Sequence, residues 1–372
     1  MVINVYNRDL ELQGAVDEIG CLIWKRRYWS CGEFSLLIPA KERHIALMAD
    51  GNLIIPQGYD EGGEIKFVNI TQDIDGIEQI EVQGKFLSSW VGKRIIRHQI
   101  IETASPESLM LKIVRDNVTD PNDQNRKIPQ LIAGPEPDSE SLAEYASGMF
   151  ANVLDEIEMI AGSAEVGFKT ISDIKDATNT FAVYSGRDLS VDNADGNPPC
   201  VFAREYDNVL SQNYTHSTEN KRTTAYVGGE PVEDAARLII EIGDDKTGLD
   251  RDEVFVDAHD ISRKYVDENN QTVTIEESEY ENLVRQRGQS ELARYTETLG
   301  FDSRVNPGAS LKYREDFDVG DIVTCIDKKW GIKMNTRITE VTETYQPGRE
   351  EIEVVFGEPL PTLSEKIKQI RR

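Results

Sequence analysis

Apolar and polar positions along this chain change rhythm three times. The first hundred residues hold short apolar runs broken by turn residues. Val2-Ile3-Asn4-Val5-Tyr6 reads as a strand. Cys21–Trp29 and Phe34–Ile38 read as a strand pair around a turn at Ser30–Gly32. Phe67–Ile74 and Ile77–Gln83 flank Asp75-Gly76, a strong hairpin signal because a tight turn there asks both central residues for positive φ. Short strands with regular turns predict a small β-barrel over residues 1–100.

Residues 101–200 switch to helical spacing. Ser105-Pro106 supplies an N-cap and a first-turn proline for a helix running to about Val118. Ser141 and Glu144 form a capping-box pattern ahead of Leu142, Tyr145, Ala146, Met149, Phe150, Val153, Leu154, Ile157 and Ile160, with Gly162 as the stop. A hairpin, Val166–Ile171 with Phe181–Tyr184, follows, so this part is expected to be an α+β insertion. Asp192–Pro199 is a long turn or linker.

Residues 201–372 return to strands: Val201–Arg204, Val209–Thr215, Thr223–Val227, Arg237–Ile242, Val254–Val256, Asp321–Ile326, Met334–Thr344 and Glu351–Phe356. One helix is expected from about Ile275 to Leu299, capped by Thr274 with Glu277 and ended by Gly300. A short basic helix, Leu363–Ile370, is expected at the C-terminus. The fold class is therefore α+β and mainly β: two small barrel domains, an α+β insertion and one long helix in the C-terminal half.

Charge narrows the function. The 372 residues carry a formal charge of −26, from 67 acidic and 41 basic side chains. Nucleic-acid affinity comes mostly from cations that displace counterions, so a chain this acidic repels free nucleic acid. The acids are uneven: Ile128–Phe168 has eight carboxylates and no Lys or Arg. The cations gather at Lys25–Arg27, Lys93–Arg97 and Lys366–Arg372. Within Trp24-Lys25-Arg26-Arg27-Tyr28-Trp29 they interleave with aromatics. Such a strand either stacks on bases or packs within protein, and the net charge favours packing with Lys25, Arg26 and Arg27 on carboxylates.

Chemistry is sparse. Cys21, Cys31, Cys200 and Cys325 form no CxxC pair and read as reduced thiols, although Cys21 and Cys31 could meet across a hairpin. His44, His98, His216 and His259 are not at metal-ligand spacing. No nucleophile elbow or phosphate loop occurs. Asn193-Ala194-Asp195-Gly196 lacks the first acid and the closing Glu of a Ca²⁺ loop and reads as an Asx-type turn. No catalytic, cofactor or metal residue is assigned, and no cofactor is expected. No apolar run is long enough to span a membrane, and the first residues do not form a signal peptide, so a soluble protein is expected. Paired acids for sugar hydrolysis have no specificity among 67 carboxylates. Trp24, Trp29, Trp90 and Trp330 would serve a carbohydrate-binding groove if exposed, and are expected mostly packed.

Several segments carry a resemblance. Asp318-Val319-Gly320-Asp321-Ile322-Val323 leads into Lys328-Lys329-Trp330-Gly331-Ile332, then Arg337–Val341 and Ile352–Gly357. Together with WKRRYWSCGEFSLLIP at 24–39, GNLIIP at 51–56, Arg126–Pro129 and Phe255–Ala258, these resemble siphophage and prophage tail-hub proteins of the distal tail tip, along nearly the whole chain. The resemblance implies a fold similar to the baseplate hub of contractile-tailed phages. There, two related β-barrels per chain form a homotrimeric, pseudo-sixfold ring that joins the tail tube to a spike or tip. It implies a virion location after folding in the bacterial cytoplasm. It also implies contacts with distal-tail, tape-measure and spike or fibre proteins, and passage of DNA without specific binding. Larger relatives carry an added cell-wall-degrading or receptor-binding region. The alternative functions are accordingly peptidoglycan degradation and carbohydrate or receptor binding at the tip.

Overall fold

The computed structural model describes residues 1–136, 142–148, 150–232, 236–266, 271–306 and 308–357. The chain is mainly β, with 43% of residues in strands and 19% in helices. It divides into two compact units that are discontinuous in sequence. The first comprises Met1–Gly20, Trp29–Tyr184 and Lys221–Thr296; the second comprises Cys21–Tyr28, Ser185–Asn220 and the residues from Glu297.

In the first unit, a six-stranded ladder runs in the order Glu33–Pro39, Glu78–Phe86, Gly63–Gln72, Leu53–Pro56, Ile3–Tyr6, Leu12–Val16. Alternation explains its faces: Phe34, Leu36 and Ile38 are buried while Glu33, Ser35 and Leu37 are half-buried. The Asp75-Gly76 hairpin forms, but only Gly76 takes positive φ, +81°. The loop is longer than the two-residue turn expected. Asp73 closes it, its carboxylate accepting the amides of Asp75 and Ile77, each at 2.9 Å. That Asx bonding spares Asp75 the left-handed conformation.

Helix α1 (Glu42–Leu47) lies against strand Leu12–Val16. Helix α2 (Pro106–Val114) begins as expected, with the Ser105 hydroxyl accepting the Ser108 amide at 3.2 Å; a single π-turn, Arg115–Thr119, extends it. Helix α3 (Val153–Ala164) departs from expectation. Ala143–Ala146 is a strand antiparallel to Ile101–Ala104, so the capping pattern at Glu144 starts no helix; Ser141 and Met149 lie outside the described residues. Asn152 caps α3 instead, accepting the Leu154 amide at 2.9 Å, and Glu165 ends it at φ 54° rather than Gly162. Ala143-Glu144-Tyr145-Ala146 suits a strand as well as a helix turn, and pairing with Ile101–Ala104 decided the matter. Asn152→Ala is expected to cost about 1 kcal/mol in denaturant melts, the usual worth of such a cap.

Strands Gly167–Asp173 and Thr178–Tyr184 pair antiparallel, as read from the sequence, with Leu131–Ala133 added in parallel. The main core joins these elements, with Trp90, Leu87, Val114, Val118, Ile157 and Phe181 fully or nearly buried. A separate lobe core forms between the sheet of Ile239–Gly243, Thr224–Gly228 and Glu253–Asp257 and helix α4 (Glu277–Leu292), through Val227, Ile242, Tyr280 and Val284. Helix α4 is shorter than expected. Thr274 ends a strand, Glu276 occupies the N-cap without a side-chain bond, and Thr298–Val305 is a strand rather than a helix end.

In the second unit the ladder runs Val209–Ser217, Thr298–Val305, Arg349–Gly357, Ile332–Gln346, Cys21–Arg27. Ile322–Asp327 also pairs with Ile332–Gln346, and Val201–Ala203 with Ile322–Asp327 in parallel. Its core holds Phe202 edge-on to Phe317 at 5.0 Å and tilted against Phe356 at 4.9 Å. The turn at Gln346-Pro347-Gly348 joins two long strands, with Gly348 at φ 75°. Among the described residues neither ladder closes into the small barrel expected. The expected C-terminal helix and the cations from Lys366 to Arg372 lie outside the described residues.

Candidate functional site: ion clusters built into each unit

The aromatic–basic segment resolves into strand Cys21–Arg27 of the second unit. Alternation splits its side chains. Leu22, Trp24 and Arg26 are buried; Lys25 and Arg27 lie on the other face. Antiparallel register sets Arg27 opposite Glu340 and Lys25 opposite Thr342. Both cations therefore reach one carboxylate, Lys25 Nζ at 2.9 Å and Arg27 Nε at 3.0 Å from Glu340. Arg26 points into the unit. It pairs with Asp318 and donates to the Tyr313 hydroxyl at 2.7 Å. Arg314 sits 5.3 Å from the centre of the same ring and pairs with Glu343 at 2.8 Å. Burial works to raise the Asp318 pKa, but the charge and hydrogen bond of Arg26 outweigh it and leave the carboxyl below its ordinary value. The expectation that these three cations pair with carboxylates is met within one chain. Trp24, fully buried, has no face for a base.

The Asp318–Ile332 segment is structural too. Asp321 receives Arg187, Nη2 to Oδ2 at 2.6 Å and the Arg187 amide at 2.8 Å. Asp327 receives Arg204 at 2.5 Å and the Trp330 amide at 2.7 Å. These acids pin the two ends of strand Ile322–Asp327. Trp330 is 45% exposed, with Arg204 5.4 Å from its ring centre. Trp90 is buried and Trp29 is partly buried, so packing claims three of the four tryptophans.

Two further clusters in the first unit have no signature in the sequence. Glu64 is fully buried in strand Gly63–Gln72 and gathers Arg8 at 2.7 Å, Lys93 at 3.3 Å, Lys66, and the Trp90 Nε1–H at 2.9 Å. Burial tends to raise its pKa; Lys66, Lys93 and Arg8 together bring it below the ordinary value. In the second cluster, Arg287 of α4 reaches Glu156 of α3 at 3.3 Å and Asp260 at 3.1 Å, while Tyr145 donates to Glu156. Burial dominates there and holds the Glu156 pKa above its ordinary value. Gly148 lets Asp260 in: a Cβ at that position would stand 2.0 Å from Asp260 Oδ2. An Arg acting across 131 positions from its acid leaves no spacing to read.

The other candidates take structural places. His44 Nδ1 lies 2.8 Å from the Pro39 carbonyl, and His98 Nδ1 3.2 Å from that of Val266. All four cysteines are free thiols, and burial pushes the Cys200 thiol up to about 12, far from a nucleophile's range. Asn193 forms the Asx turn expected, accepting the Asn197 amide at 3.0 Å, with Gly196 at φ 74°. Among the described residues no group of His, Cys, Asp and Glu could hold a metal, and no helix is long and apolar enough to cross a membrane.

A family model described as siphovirus ReqiPepy6 Gp37-like protein matches residues 2–358. The chain belongs to this siphovirus family. The resemblance read from the motifs is thereby borne out along almost the whole length. Solved structures agree on the fold. The tail protein of Neisseria meningitidis MC58 superposes with a TM-score of 0.59 at 13% identity, over 96% of each chain. The 43 kDa tail protein of prophage MuSo2 from Shewanella oneidensis gives 0.54 at 11% identity, over 96% of this chain and 98% of that one. Prophage tail protein gp18 of Listeria monocytogenes EGD-e gives 0.53 at 11% identity, over 100% and 98%. No curated protein sequence matches. The Gp37-like chain thus shares an end-to-end fold with phage tail proteins at identities where only physical patterning survives.

Proposed function

We propose that this Gp37-like protein is a non-enzymatic structural subunit of a phage or prophage tail hub. In this reading three copies form a ring that joins the tail tube to the tip and lets DNA pass. The supporting observation is the end-to-end agreement of its fold with solved tail proteins, over 96–100% of the chain. The two open ladders, one per unit, stand for the two related β domains that a threefold subunit needs to present six similar faces. The buried ion clusters serve as rigid joints inside each subunit.

The charge fits a conduit. Three copies carry three times −26, and duplex DNA carries roughly one negative charge per 1.7 Å of axis, so acids facing a lumen would keep DNA from sticking. Screening confines this to about 8 Å at physiological salt. Light scattering after size exclusion tests the reading: the expected species has three times the chain mass, and a monomer at every concentration would refute it. A second reading, carbohydrate or receptor binding at the tip, is favoured by exposed Trp330 beside Arg204. Loss of cell binding on Trp330→Ala, with assembly unchanged, would support that role.

A further inference from the structure

Of the three cation clusters in the sequence, Lys25–Arg27 is bound to carboxylates of its own chain, and Lys366–Arg372 lies outside the described residues. The third, Lys93–Arg97, behaves differently. Lys93 turns to Glu64, but Arg94 takes carbonyls: its Nε donates to Arg126 O at 2.5 Å and its Nη1 to Lys93 O at 3.1 Å. Arg126 does the same, its Nη2 donating to Ile95 O at 2.5 Å. Among the described residues neither guanidinium is paired with a carboxylate, whereas Arg26, Arg187, Arg204 and Arg287 each are. Arg97 reaches Asp123 at 3.5 Å, with both side chains about half exposed. Three neighbouring guanidiniums thus share a single carboxylate among the described residues.

Burial, and then the charges of Arg97 and Arg94, hold the Arg126 pKa below its ordinary value, with Asp123 opposing them. In a chain of charge −26, acids to relieve that repulsion are abundant, yet carbonyls hold these side chains instead. Carbonyl anchors fix direction without neutralising charge, so the patch keeps its positive field. An apolar shoulder adjoins it. The Phe150 amide donates to Ile96 O at 2.8 Å and the Val153 amide to Arg94 O at 3.1 Å, which zips the two segments together. Ile95 is 46% exposed and Phe150 is 62% exposed. Phe150 also sits at φ 63°, where a bulky side chain is an outlier. Such strain persists where the surroundings enforce it, and it gathers at functional sites. An exposed ring gains little packing in return.

We infer that Arg94 and Arg126, with Ile95 and Phe150 beside them, form a docking surface for a different protein of the tail, one that presents a carboxylate next to an apolar side chain. The guanidinium fork matches a carboxylate through two parallel bonds. Interface centres favour Arg and aromatic residues for the same mixture of charge and apolar area. A small free anion would leave Ile95 and Phe150 without a partner, and DNA is repelled by the net charge of the chain. The inference rests on the reading of this chain as a tail subunit and does not depend on how many copies form the ring.

The test uses intact tails of a phage carrying this gene, treated with a carbodiimide that couples lysine amines to carboxylates in contact. Exposed Lys127, next in sequence to Arg126, is the reporter. The expected product joins Lys127 to an Asp or Glu of a different tail protein. Arg94→Glu/Arg126→Glu, with folding checked by circular dichroism, is expected to lower that product at least about 10-fold, since like charges would then face each other. Phe150→Gly keeps the cations and relieves the positive φ, so the isolated chain should melt at the same or a higher urea concentration. The cross-link should nevertheless fall about 10-fold, the scale of a lost aromatic anchor. A role in folding alone would move the melt and spare the cross-link. Should the arginine variant fail to fold, Phe150→Gly decides. Tails that contain the chain but give no Lys127 product, or one only within this chain or with another copy of it, would overturn the proposal and leave the ring reading intact. Tails that lack the chain would overturn both. DNA retained on filters by the wild-type chain and released by Arg94→Glu/Arg126→Glu would assign the patch to nucleic acid and overturn the proposal as well.

Discussion

Arg287→Met is expected to destabilise the first unit by about 3–5 kcal/mol, the range found when one partner of a buried ion pair is removed. The guanidinium is shared by Glu156 and Asp260, and Glu156 is itself nearly inaccessible, with the Tyr145 hydroxyl and the Gly148 amide as its other donors. Loss of the cation strands a carboxylate between α3 and α4. Protonation offers partial relief, so the deficit relative to wild type should shrink as pH falls toward and below the ordinary carboxylate value of 4.5. The sign follows from the raised Glu156 pKa: the folded state holds this proton more tightly than the unfolded chain, so stability falls as pH rises through the folded value. Adding Glu156→Gln to Arg287→Met removes the stranded charge and should recover a large part of the loss. Urea melts of the four proteins of this cycle, at neutral pH and near 4.5, check both statements. Equal stability of wild type and Arg287→Met would mean that the cluster contributes nothing.

Glu64→Gln is expected to cost about 2–3 kcal/mol near neutral pH, the scale of lost hydrogen bonds to a charged group. The loss is smaller because Arg8, Lys66 and Lys93 are each 38–52% exposed and can turn to water, whereas Arg287 leaves a buried acid behind. Its pH dependence has the opposite sign. The folded Glu64 pKa is lowered, so its stabilisation is present above the ordinary value of 4.5 and is lost as pH falls through the folded value. Glu64→Gln should therefore flatten the acid limb of the stability curve. Chemical melts at intervals from neutral pH to acid would reveal it, and an unchanged acid limb would count against the assignment.

Much of the strand inventory was legible because alternation and turn residues act locally. The strands around Cys21, Val201, Met334 and Glu351 lie within a few residues of their expected bounds, and Ser105 caps α2. The helix starts at Ser141 and Thr274 failed for one reason. Capping patterns describe a local preference, and pairing of Ala143–Ala146 with Ile101–Ala104 and of Thr272–Thr274 with Lys264–Val266 overrode it. Of the ion clusters, the partners of Lys25, Arg26 and Arg27 were foreseeable as acids but not by number. Glu64 and Arg287 gave no signal, because a buried carboxylate and a surface one look alike in sequence.

The strand Cys21–Arg27 has a cost in time. One of its ladder pairings sets Leu22–Arg27 against Glu340–Tyr345, so the ribosome must add roughly 300 residues before those two can meet. At about 5–20 residues per second that wait is roughly 15–60 s. Throughout it, Trp24 and Arg26 have emerged with that partner still unmade. The second unit is thus obliged to finish folding only after Tyr345 has been made, and a ribosome stalled before Glu340 would leave Trp24 without that strand.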